Sequence, residues 1–163
     1  MAIIAPVTLP AQISRPNRNV LLFVVLIAAQ GAHIVEHIVQ LVQLFVLHLG
    51  KARSHGIVGQ LDIEWVHFIW NLGVFLAAVM LVRRYPGNPW LMVVLVLASW
   101  HQIEHSYIMF IYLTTGVAGT PGLLASGGKL WGGLPVSRPV LHAIYNVAEF
   151  APLVGGFLYE RRR

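Results

Sequence analysis

The sequence predicts an all-α integral membrane protein, a four-transmembrane-helix bundle built from two parallel helical-hairpin repeats. Three observations predict it: an apolar composition, four runs long enough to cross a bilayer, and two polar motifs that recur in the same order. Of the 163 residues, 57% are hydrophobic and 10% are charged. A soluble domain carries about a quarter charged residues, so there is too little polar surface here to cover a soluble globule. Crossing the hydrocarbon takes about 20 apolar residues. Four segments qualify: 20–49, 63–82, 89–115 and 139–159. The length suits one membrane domain, divided into a tail (1–19), a first hairpin (20–85) and a second (86–163).

The tail holds Pro6, Pro10 and Pro16 with Arg15 and Arg18, and reads as extended chain. The run after it is too long for a signal-peptide core, and no small-residue cleavage site closes it. It is therefore a retained helix, long enough to tilt or project beyond the bilayer. Asp62 and Glu64 open the second helix, where negative charge suits the dipole. His48 and His55, before it, read as solvated. Pro89 and Pro139 stand near the starts of the third and fourth helices, where a missing N–H does no harm. Trp65, Tyr85, Trp90 and Tyr159 read as interfacial anchors. Tyr85-Pro86-Gly87-Asn88 is a tight turn. The loop 116–138 is long and glycine-rich, either a functional cover or a plain connector. Glu160 and the terminal arginines read as a solvated end.

Arg15, Arg18, Arg83, Arg84 and Arg161 to Arg163 fall on one side, and Lys51, Arg53, Lys129 and Arg138 on the other. The positive-inside tendency then puts both termini in the cytoplasm, and the expected location is a bacterial plasma membrane. The net charge of +5 reports this topology. No basic run is interleaved with aromatics, which excludes nucleic acid as a partner. With no cysteine, disulfides and thiolate metal sites are excluded as well.

The repeat is specific. His33-Ile-Val-Glu36-His37 matches His101-Gln-Ile-Glu104-His105, and His67-Phe-Ile-Trp70-Asn71 matches His142-Ala-Ile-Tyr145-Asn146. Each half reads H-x-x-E-H, a loop, then H-x-I-aromatic-N. Two spans per half give both halves the same orientation, so the pseudo-two-fold axis runs along the membrane normal.

Positions i, i+3 and i+4 share a helix face. His33, Glu36 and His37 thus point one way, with Gln30 and Gln40 on the same stripe. His101, Glu104 and His105 do likewise, with Tyr112 further along. His67, Trp70 and Asn71 form a third face; His142, Tyr145, Asn146 and Glu149 form the fourth. Counted from the arginine-rich side, His37, His67, His105 and His142 lie roughly 23–27 Å deep, and His33, His101, Asn71 and Asn146 roughly 17–21 Å. Glu149 lies near this inner layer, and its counterpart in the first half is Val74. Each ionisable residue facing lipid would cost about 2.5–3.5 kcal/mol, so these must face one another, water or an ion.

The leading expectation is a metal site, dinuclear, with His33, Glu36, His37, His67, His101, Glu104, His105 and His142 as ligands. Two histidines and a carboxylate on one face suit non-haem iron; zinc, copper and manganese stay open. Asn71, Asn146, Tyr112, Tyr145 and Trp70 would surround the ligands, and Glu149 or a water would move protons. Ferritin-like di-metal bundles use Glu-x-x-His, the reverse order. The histidine-rich, all-helical character resembles membrane histidine-box hydroxylases and desaturases, whose box spacings are not reproduced. The function expected first is a metal-dependent oxidoreductase acting on an apolar or lipid-like substrate, served by an external electron donor because no nicotinamide or flavin motif is present. H-x-x-E-H also occurs in inverted zinc peptidases, which keeps a zinc-dependent membrane hydrolase in view. Three further readings compete with these. They are haem b held between His37 and His105 or between His67 and His142, a metal-ion binding or transfer protein, and a metal-free proton path.

Overall fold

The computed structural model describes residues 18–59 and 63–163. The proline-bearing tail and Asp62 lie outside the described residues, apart from Arg18, which opens the first helix. Among the described residues every long element is helical: α1 (Arg18–Phe45), α2 (Glu64–Arg84), α3 (Pro89–Thr115) and α4 (Arg138–Arg161), with a 3-10 turn at Lys51–Arg53. α1 packs on α2 and α4, and α3 packs on the same two helices, so the four close into a bundle. Three of them, α1, α2 and α4, are long and apolar enough to cross a membrane.

The second, third and fourth helices begin and end within two residues of their expected limits. The first stops at Phe45, not at 49. The cause is local: His48 takes φ 50° and Gly50 φ 75°, and left-handed residues cannot continue a right-handed helix. α3 starts where Asn88 caps it, its side-chain oxygen accepting from the N–H of Trp90 (3.1 Å) and Leu91 (3.3 Å). The same amide donates to the Gly156 carbonyl (3.0 Å) and to Glu160 (2.9 Å). Glu160, expected at a solvated end, thus ties the foot of α4 to the start of α3. Close packing there needs Gly155 and Gly156, whose missing side chains admit Trp90 and Leu91.

The interior divides along the bundle axis. Near the arginine-rich end it is apolar, built from Phe23, Leu26, Val74, Ala78, Leu81, Leu91, Val94, Ala98 and Leu153. Toward the two long loops it is polar, holding Gln30, His33, Glu36, His37, Gln40, His67, His101, Glu104, His105, His142 and Glu149, all buried. The outside is the reverse, with Ile69, Val96, Phe110 and Val147 more than half exposed.

The long loop 117–137 is an ordered cap. Its backbone bonds to itself from Ser126 to Val136, Gly127 to Gly132, and Leu134 to Leu124, at 2.7–2.8 Å. Gly133, at φ 79°, lies where a Cβ would overlap the Ala125 carbonyl, so only glycine fits that fold-back.

Candidate metal centre

The helical register carries six histidines into one volume. His37, His67, His105 and His142, one from each helix, form a closed ring, with successive centroids 5.5, 5.3, 4.8 and 6.3 Å apart. His33 and His101 lie one turn deeper. The ligand atoms fall into two groups, His33/His37/His67 and His101/His105/His142, each with its atoms within 4.8 Å of one another.

The outer hydrogen bonds decide where the ring lone pairs point. His37 Nδ1 lies 3.3 Å from Gln40 Oε1, His101 Nδ1 2.8 Å from Glu149 Oε1, and His142 Nδ1 2.9 Å from the Arg138 carbonyl. All three partners accept, so each ring donates from Nδ1 and turns an Nε2 lone pair inward. The lone pairs of His101 and His142 converge on a single atom, Nε2 of His105, at 3.2 and 3.0 Å. One N–H on His105 serves only one of them at a time. Nε2 of His37 similarly meets Nε2 of His33 at 3.2 Å. His67 is the extreme case: both of its ring nitrogens are buried with no hydrogen-bond partner, as are Nδ1 of His33 and His105. An unsatisfied buried polar atom costs about 1–3 kcal/mol. Imidazoles anchored from outside, with inward lone pairs and unpartnered nitrogens, are the arrangement in which a histidine set could hold a cation.

The other expected site residues divide. Glu149 is in the cluster: beyond His101, it accepts from Gln30 Nε2 (3.1 Å), and Gln30 Oε1 accepts from Trp70 Nε1 (3.1 Å). Trp70 also stacks on His33, with centroids 5.2 Å apart. Tyr145 lies against His101 at 4.9 Å, and its hydroxyl accepts from Trp100 (3.0 Å). Asn71 and Asn146 bond back to the carbonyls of His67 (2.8 Å) and His142 (2.9 Å), so their amides buttress the helices at the histidines. Tyr112, in the last turn of α3, is half-buried and stands about two turns beyond His105.

Glu36 and Glu104 point away from the histidines, into the loops. Glu36 accepts from the backbone N–H of Ile57 (2.8 Å), Val58 (2.9 Å) and Gly59 (3.2 Å). Glu104 accepts from Leu123 (2.7 Å) and Leu124 (3.5 Å). At each anchor the loop carries a left-handed glycine, Gly56 or Gly122, where a Cβ would overlap the carboxylate. The motif thus supplies two ring donors from its histidines and a loop tether from its glutamate. The sequence signal for that second role was a glycine in each outer loop, which spacing within the helix could not reveal.

Glu64 also does more than open α2. It is buried and takes both guanidinium nitrogens of Arg138, at 2.6 and 2.7 Å, and the N–H of Gly119 at 2.8 Å. Breaking a buried pair by removing one partner costs about 3–5 kcal/mol, so this bridge pins α4 and the long loop to α2. His55, expected to be solvated, is exposed and lies 2.8 Å from the Ala52 carbonyl. Comparison with known families, with characterised proteins and with solved structures finds no match to this chain.

Proposed function

We propose that the chain is an integral membrane metalloprotein in which two adjoining three-histidine groups hold a pair of transition-metal ions. The observation that carries this reading is the convergence of buried imidazole nitrogens, with both nitrogens of His67 unpartnered and two lone pairs directed at His105. With Glu36 and Glu104 bound to the loops, the donors are imidazoles alone. That set suits copper or zinc at least as well as the iron that a mixed His/carboxylate set favoured. A redox-active pair would supply electron or dioxygen chemistry, with an external electron donor; zinc would supply Lewis-acid chemistry. Glu149, Gln40 and the Arg138 carbonyl hold three of the rings in the ligating tautomer. Haem is the weaker reading, because a macrocycle needs a flat slot between its axial ligands, whereas His37, His67, His105 and His142 have neighbouring centroids only 4.8–6.3 Å apart. A continuous proton path is opposed by the apolar inner half, from Phe23 to Leu153.

In this reading α3 is the fourth span. At about 1.5 Å per residue its 27 residues reach about 40 Å, enough for the hydrocarbon. Its histidines and its one carboxylate, His101, His105 and Glu104, are buried, while Val93, Val96, Ile103, Phe110 and Leu113 are exposed along its length. The two halves derive from a duplicated hairpin, with both termini on the cytoplasmic side of a plasma membrane.

The test is metal per chain, measured with an absorption spectrum on protein purified in detergent without chelators. The expected result is two ions of one transition metal, lost together in the His37→Ala/His105→Ala double variant. Metal-free protein after growth in iron-, copper- and zinc-replete medium would overturn the reading, and a Soret band would replace it with haem.

A further inference from the structure

A cavity of about 540 Å³ descends between the two loops to His37, His67 and His142. Its wall is mixed: Lys51, Ser54, Ser126 and Arg138 alternate with Leu44 and Val136. Both charged groups on this wall are cations. Arg138 is neutralised by Glu64, whereas among the described residues no carboxylate pairs with Lys51. Among the described residues the lining holds no carboxylate, so with Arg138 offset by Glu64 the charge of Lys51 leaves the mouth net positive. His67 stands at the floor of the cavity, both of its ring nitrogens closed to water and without partners.

We propose that this cavity admits small anionic solutes from the loop side and delivers them to the histidine cluster. The inference rests on the metal reading for what the anion meets at the floor, an ion able to take it as a ligand. The route itself rests on the lining alone. A route through the loops is a different access from one open to lipid, and with its unpaired cation it makes a water-borne anion the substrate class in place of the apolar one that the membrane setting suggests. Charge lining a low-dielectric cleft concentrates ions of the opposite sign, and Lys51 is the group placed to do so.

The chain contains no cysteine, so one introduced thiol reports on one position. Ser126→Cys is close to isosteric and stands exposed on the cavity wall. Its labelling rate is compared for sulfonatoethyl methanethiosulfonate, an anion, and trimethylammonioethyl methanethiosulfonate, a cation. Ala118→Cys, exposed on the same loop, gives the reference ratio. The expected anion preference at Cys-substituted Ser126, relative to that reference, is about tenfold, falling to unity or below when Lys51→Glu is added. An equal or cation-favouring ratio, no dependence on Lys51, or a thiol that reacts only after denaturation would each overturn the proposal. Metal content, measured separately, decides the reading of the floor without affecting this result.

Discussion

The two histidine groups differ where their sequences differ most. In the second, Glu149 stands on α4 and fixes His101 through Nδ1 at 2.8 Å. In the first, the matching position on α2 is Val74, buried in the apolar cluster, and Nδ1 of the matching His33 has no partner. His33 is held instead by stacking on Trp70. His142 bonds to a carbonyl from Nδ1, whereas its counterpart His67 has neither nitrogen satisfied. In the second group two of the three rings are therefore anchored outward by hydrogen bonds, one of them to a carboxylate; in the first, His37 is anchored to Gln40, while His33 and His67 are held by packing. Carboxylate partners raise the basicity of a ligating imidazole, so the two positions are expected to bind unequally, the second more tightly.

Removing a ligand from each group gives the largest effect. His105→Ala and His67→Ala should each lower the metal content from two ions per chain to one. The ion remaining in His67→Ala should resist dialysis against chelator for longer. Equal retention in both variants would erase the proposed inequality. Full occupancy in both would remove these residues from the ligand set.

Glu149→Gln acts on the difference itself. It preserves the shape of the side chain but removes the charge. Loss of such a partner lowers metal affinity about 10- to 100-fold. Chelator competition should show that drop at one of the two ions only. The same drop at both would mean that Gln30, which bonds to Glu149 and receives Trp70, couples the groups into one unit.

The four helices, the turn at 85–88 and the convergence of the polar faces were legible because apolar run length, Pro-Gly turn chemistry and helical periodicity are all local to the sequence. Polar residues at i, i+3 and i+4 in an apolar run must face inward, and four such faces at matched depth must meet. Direction along the helix axis was not legible in the same way. Glu36 shares a face with His33 and His37, yet its carboxylate reaches outward to Ile57, Val58 and Gly59. That choice depends on where a loop some 20 residues later brings its N–H groups, which periodicity does not encode. The Glu64–Arg138 bridge, 74 positions apart, was hidden for the same reason. The early end of α1 was hidden by apolar residues 46 and 47, which continue the hydrophobic run while the backbone turns at His48.

The loop tethers separate the halves more gently. Glu36 holds its loop by three N–H groups, aided by Gln43, which donates to the Gly56 carbonyl and accepts its N–H, both at 2.9 Å. Glu104 holds the longer loop by two, one of them at 3.5 Å, but that loop also bonds to itself. Hydrogen bonds to a charged group contribute about 1.5–3 kcal/mol each. Glu36→Gln should therefore raise amide exchange at residues 56–59 more than Glu104→Gln raises it at 122–124. Metal content should stay at two in both, because neither carboxylate faces the rings.

The smallest expected effect separates histidines in the cluster from the one beside it. His55 is exposed on the short outer loop, against the Ala52 carbonyl. His55→Ala should leave metal content and chelator resistance unchanged. Substitution of exposed surface residues usually alters stability within about 0.5 kcal/mol. Loss of an ion on this change, measured as metal per chain in the same detergent, would mean that the ligand set extends into the loop. The preorganisation difference between the two groups would then need to be redrawn, since the first group would have gained a donor that its packed histidines lack.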